Sequence, residues 1–160
     1  MRATCTTATV TAVTIIFGAT SAAASPGREP AAEVLHFHDV SRLVATHDVG
    51  ARSSEPRPGD VLVFDNLLRA PDRLDVATRQ VLGRFPSRCT LEEGSRARCE
   101  GALELRDGTI FVQGTPDLAV SPIDITVTGG TGRYEDVTGR AQLEPTDVPG
   151  TSLLTVRLTR

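Results

Sequence analysis

The sequence predicts an all-β domain built from many short antiparallel strands. Three observations carry this. Apolar residues recur at intervals of two, turn residues punctuate the chain at short and regular spacing, and no stretch shows a helical period of three and four. Strands are expected near 33–39, 42–47, 60–68, 78–91, 96–106, 109–115, 121–128, 134–144 and 151–159. Such a pattern closes either as a sandwich or as a barrel, and periodicity does not choose between them.

The first 24 residues are a different material from the rest. Arg2 is their single charge, and a Thr/Ala/Val/Ile run extends to Phe17 before Ser21-Ala22-Ala23-Ala24-Ser25. This is the pattern of a secretory signal peptide cut after Ala24. The apolar run is too short and too rich in Thr for a membrane span. Residues 25–32 read as a flexible lead-in, and residues 33–160 as one domain of an extracellular protein.

The 160-residue chain has 17 basic residues, all Arg, and a net charge of −3. Acid and base are interspersed, so no basic face marks a nucleic-acid partner. With no Trp, one Tyr and five Phe there is no stacking platform for single strands.

Along the domain, Leu35-His36-Phe37-His38-Asp39 opens the first strand, and a Pro/Ser-rich loop over 52–59 precedes the next long one. Cys89 and Cys99 flank a turn centred on Gly94, so they lie opposite each other. Cys89 shares parity with Phe85 and Leu91, and Cys99 with Leu103 and Leu105, so both thiols point to the apolar face of one hairpin. A disulfide is expected in an oxidising compartment, with two buried free thiols as the alternative. No second Cys/His pair stands at zinc spacing.

Asp107-Gly108 reads as a two-residue hairpin turn, which sets Leu105 against Ile110 and Leu103 against Val112. The run Val127-Thr128-Gly129-Gly130-Thr131-Gly132-Arg133-Tyr134 is a tight strand connection. It is not a phosphate loop, because a strand over 134–144 follows it in place of a helix. Leu154, Val156 and Leu158 face one way in the last strand.

Polar chemistry concentrates near the first strand. His36, His38 and His47, with Asp39 and Asp48, fall within a short segment. His36 and His38 share a strand face, and a third His from the next strand could complete a tri-His metal site; the Gly and Glu of a cupin pattern are missing, and no metal is assigned. The preferred reading is a histidine pair at a rim, with an acid/base role as the other. Glu92-Glu93 and Glu135-Asp136 alternate across a strand and read as solvated charge. Asp72, Asp75 and Asp117 have no calcium-loop spacing, and there is no Gly-x-Ser-x-Gly elbow.

Several of these pieces, in order, resemble the dirigent proteins and the wider family with the allene oxide cyclase-type barrel. Gly129-Gly130-Thr131-Gly132 followed by Arg133, Tyr134 and Gly139 resembles the family's C-terminal signature. Leu35-His36-Phe37-His38-Asp39 resembles its first strand, and Gly59-Asp60-Val61-Leu62-Val63-Phe64-Asp65-Asn66-Leu67-Leu68 its second strand with the Asp-rich segment after it. Val81-Leu82-Gly83-Arg84 resembles its Val-Gly-Arg element with Leu82 interposed, and Gly108 to Gly114 the strand before the Gly-rich turn.

The resemblance implies an eight-stranded antiparallel β-barrel, whose interior holds one small ligand, and it implies no cofactor. It implies a small lipophilic partner, cyclised or coupled under the control of the cavity's shape. It makes Asp39 the first catalytic candidate, by proton transfer, and Asp65 the second. His38, Phe64, Leu103 and Val112 are the ligand-contact candidates. Family members are often dimers or trimers, which implies a homo-oligomer. One departure matters: where plant members carry an Arg-Glu pair before the Gly-rich turn, this chain has Ile123-Asp124. Whether the chain is a cofactor-free cyclase or isomerase, or a dirigent-type auxiliary protein, stays open. So do a non-catalytic, lipocalin-like carrier and a structural exoprotein with a filled barrel.

Overall fold

Strands form where side chains alternate between an apolar interior and a polar exterior. The computed structural model describes residues 32–47, 56–71 and 80–160. The expected signal segment, residues 25–31 of the lead-in, Asp48, Asp72 and Asp75 lie outside the described residues. The strands are β1 (Glu33–Val40), β2 (Leu43–His47), β3 (Val61–Arg69), β4 (Val81–Leu91), β5 (Ala97–Leu105), β6 (Gly108–Gly114), β7 (Ile123–Gly130), β8 (Thr138–Pro145) and β9 (Thr151–Thr159).

From β3 to β9 each strand pairs antiparallel with the next, β9 returns to β1, and β1 pairs with β3. That last pairing closes the sheet. The second strand adds no stave, because it continues the line of β1 along β3. Val40 faces Leu67, and beyond the break at Ser41-Arg42, Leu43 faces Phe64. The architecture is the expected eight-stranded barrel, with its first strand broken in two. No helix of the described residues is long and apolar enough to cross a membrane.

Two expectations need correction. The β5–β6 hairpin turns one residue earlier than its Asp-Gly pair suggests, through Arg106-Asp107. Leu105 therefore faces Gly108, and Leu103 faces Ile110. The cause is tertiary: the Gly-rich turn docks on this hairpin tip, with Arg133 N–H donating to the Asp107 carbonyl at 2.9 Å and Thr131 N–H to that of Thr109 at 2.8 Å. A Cβ at Gly108 would stand 2.1 Å from the Thr131 carbonyl oxygen, so Gly108 serves close approach between chains. The shift is by two in register sum, so every residue keeps its face.

The second correction concerns the strand expected over 134–144, which begins at Thr138. Gly132–Tyr134 form a single 3₁₀ turn, and Asp136 takes a positive φ of 60°. That interruption turns Tyr134 and Val137 inward as a plug, 5% and 1% exposed.

The inward residues next to this plug fill one half of the barrel. Leu68, Leu103, Ile110, Val127, Leu154 and Val156 are sealed from solvent there. The other half is not filled.

Candidate functional site

The unfilled half encloses a cavity of about 200 Å³. Its walls follow from alternation along each strand. On β9, β1, β3 and β4 the inward residue changes from apolar to polar in one step toward this end. Leu154 gives way to Ser152, Phe37 to Asp39, Leu68 to Asn66 and Phe85 to Ser87. On β6, β7 and β8 the inward face stays apolar, with Val112, Ile123, Ile125 and Leu143 on the wall. The cavity thus has a polar wall and an apolar wall, which is what fixes the orientation of a small amphipathic ligand.

The Cys89–Cys99 disulfide is formed, with the two residues directly paired across the β4–β5 hairpin. It lines the cavity, so the staple also forms part of the wall.

Asp39 sits at the step between the filled and open halves, 1% exposed. The break in the first strand explains its environment. Asp65 N–H donates to the Arg42 carbonyl at 2.9 Å, as a ladder requires, but Arg42's own N–H is met by the side-chain Oδ1 of Asn66 at 3.0 Å. Ser41 N–H leaves β3 and donates to the Gly150 carbonyl at 2.8 Å. The Asn66 amide therefore takes the place of a main-chain acceptor. With Oδ1 committed, its Nδ2 faces the other way and donates to Asp39 Oδ2 at 2.8 Å.

Asp39 Oδ1 has no hydrogen-bond partner. Burial pushes the carboxyl from its ordinary 3.8 up to about 7, with the Asn66 hydrogen bond opposing the rise. Because Oδ2 accepts from Asn66, the proton of the neutral acid resides on Oδ1. A group that exchanges its proton near neutral pH, with one oxygen free, is equipped for general acid–base work.

The other expected residues divide. Phe64 and Val112 line the cavity with Asp39. Leu103 is fully buried in the filled half and does not line it. His38 alternates with inward Phe37 and Asp39, so it takes the outer face, half-buried opposite Leu153 and Arg69. His36 lies on the same outer face and shares a hydrogen bond with Thr155 at 3.2 Å. Asp65 alternates with inward Phe64 and Asn66, and it too faces outward. Arg84 grips its carboxylate through Nε at 3.0 Å and through a terminal nitrogen, and Arg42 stands 3.9 Å away. The Arg84 hydrogen bond, with both cations, holds Asp65 below its ordinary pKa. Among the described residues no group of three or more His, Cys, Asp and Glu side chains could hold a metal ion.

Sequence reasoning missed Asn66 as the partner of Asp39. Its signal was available, because Asn66 is the lone polar residue in the inward series Leu62, Phe64, Asn66, Leu68. Ser87 and Ser152 carry the same mark on their strands.

No protein-family model matches the chain, and no curated protein matches it. Solved structures do. A pyocyanin demethylase superposes with a TM-score of 0.65 at 21% identity, covering 79% of this chain and 100% of its own. A pterocarpan synthase dirigent protein gives 0.60 at 18% identity, covering 82% and 95%. The Diels-Alderase AbmU from Streptomyces koyangensis gives 0.60 at 18% identity, covering 84% and 70%. The barrel fold is shared with dirigent and cyclase proteins.

Proposed function

We propose that this chain binds a small lipophilic molecule in the open half of the barrel and steers its cyclisation or coupling there. The observation that carries the proposal is Asp39: a buried carboxyl with one free oxygen, lining an apolar cup. Shape selects one conformer of a flexible substrate, and the polar wall turns its reactive end toward Asp39. Asn66 fixes the carboxyl's rotamer and leaves Oδ1 as the oxygen that gives or takes a proton. Several neighbours of this fold are named for ring-forming or coupling chemistry, which supports a reaction of that class. The leader and the disulfide support export into an oxidising compartment.

A carrier function is the second reading. It is favoured by the scarcity of ionisable groups on the inward face, where among the described residues Asp39 has no second acid or base beside it.

The test begins with the protein recovered from its medium, whose bound lipophile is identified by native mass spectrometry and extraction. Wild type, Asp39→Asn and Asp65→Asn are then incubated with that compound. Loss of turnover by about 10²–10⁴-fold in Asp39→Asn, measured at saturating compound, is the expected result. Equal turnover in wild type and Asp39→Asn removes Asp39 from the mechanism, and loss confined to Asp65→Asn moves proton transfer to the outer face. Release of the compound unchanged by wild type establishes the carrier.

A further inference from the structure

We infer that the cavity selects lipophiles carrying a positively charged nitrogen, whose charge is met by the free oxygen of Asp39, and that it rejects anions. This rests on reading the cavity as a ligand site, and it assigns that site its charge class.

The cavity contains an acid and no base. Among the described residues no Arg or His lines it. Glu100 and Gln113 border it, but they alternate with inward Cys99 and Val112 and are exposed. Among the described residues the elements packed on Asp39 turn no second titratable group toward it. The first strand offers Phe37 and Ser41, β3 offers Asn66 and Leu68, and β9 offers Ser152 and Leu154. The charges of Arg42, Arg84 and Asp65 lie on the outer face and are committed to one another, and Arg69 stands on that face opposite His38.

Among the described residues an ionised carboxylate in this position has no counter-charge on the inward face, and a cationic ligand supplies one. A cation that reaches Oδ1 forms a desolvated, charge-assisted pair. Phe64 and Phe85, on the same lining, add ring surface that favours a cation over a neutral isostere. An anion would place a second negative charge in the same low-dielectric cup with no donor cation, which is strongly unfavourable. A neutral carbonyl compound could bind only to the protonated acid.

These cases differ in the sign of their pH dependence. Asp39 is mostly protonated below about 7, so a cation must displace that proton to bind. Its affinity rises with pH up to the carboxyl's pKa and then levels, whereas a ligand that needs the acid weakens over the same range.

The experiment titrates the oxidised full chain with three probes of matched size, 1-methylquinolinium, 1-methylnaphthalene and 1-naphthoate, at pH 5.5 and pH 8.5. With the pKa at about 7, 1-methylquinolinium is expected to bind about 30-fold tighter at the higher pH. The affinity of 1-methylnaphthalene stays flat, and 1-naphthoate binds more weakly than either at pH 8.5. Asp39→Asn abolishes the pH dependence and the cation preference but keeps 1-methylnaphthalene binding, which reports an intact cavity. A cation affinity that is flat or falls with pH, or 1-naphthoate binding as tightly as 1-methylquinolinium at pH 8.5, overturns the charge assignment and leaves the ligand site standing. Failure of all three probes overturns the ligand site itself, and the assignment with it.

Discussion

The two halves of the barrel are built on the same eight staves and differ in what the inward positions carry. In the half closed by the Gly-rich turn, Leu103, Ile110, Leu154 and Val156 are wholly buried and Tyr134 and Val137 plug the end. In the other half, Asp39, Asn66, Ser87 and Ser152 replace apolar side chains on four adjacent staves, and a cavity opens beside them. Burial that would have stabilised the fold is given up on one side only. The filled half supplies the stability, and the open half holds a polar group where a core would exclude it.

The largest expected effect comes from that group. Asp39 has a folded-state pKa of about 7 against roughly 3.9 in an unfolded chain. Between these values the unfolded chain has lost a proton that the folded chain keeps, so stability falls as pH rises and levels above about 7. The whole penalty is about 4 kcal/mol, of which about 2.5 kcal/mol falls between pH 5 and pH 8. Asp65 and Asp117, whose pKa values are lowered, act in the opposite sense, and their contribution is already complete at pH 5. Urea unfolding of wild type should show the decline, and Asp39→Asn should flatten it and exceed wild type at pH 8. A wild-type stability that is level across this window would mean that Asp39 carries no burial penalty, and the two halves would differ less than their side chains suggest.

Comparable in size is one substitution made in both halves. Leu103→Ala removes a sealed side chain from the filled half and should cost about 2–5 kcal/mol, because its neighbours cannot close the gap. Leu143→Ala, made in the wall of a space already open, loses only partial burial and should cost under about 1.5 kcal/mol. Equal costs in denaturant unfolding would show that the cavity wall is packed as tightly as the core.

What the sequence disclosed follows the same division. Strands and the Cys89–Cys99 bridge were legible because alternation and register are local properties of a strand, and one parity error would have turned a core residue outward; barrel closure was legible only through the family resemblance. The inward position of Asp39 on the cavity wall follows from its alternation with Phe37. Asp65 and His38 alternate with the residues that line the barrel interior, and Leu103 has the inward parity. The first two share strands with true inward residues but face out, and Leu103 faces in at the wrong level. Depth along the barrel depends on where the strands stagger, and the shifted β5–β6 turn shows that a distant loop helps to set it. Asn66 bonds to Arg42 and Asp39, 24 and 27 positions away; its alternation marks it as an inward polar residue, but not which partners it meets.

The smallest effect probes the boundary between the halves. Gly101 lies on the inward side of β5, between Cys99 in the cavity wall and Leu103 in the core. A Cβ there would stand 2.7 Å from Phe85 Cε2, 2.9 Å from Ser87 Cβ and 3.0 Å from the Pro86 carbonyl oxygen. The Phe85 ring therefore occupies space that only glycine leaves free, and it roofs the core while flooring the cavity. In Gly101→Ala the ring must move. The filled half has no room to receive it, so the displacement is directed into the open half. The expected cost is about 1–2 kcal/mol of stability, with about tenfold weaker binding of a neutral probe such as 1-methylnaphthalene, equivalent to about 1.4 kcal/mol. Calorimetric titration and unfolding on the same variant separate the two. Lost stability with unchanged binding would mean that the core yielded instead of the cavity, and that Phe85 is not the partition between the halves.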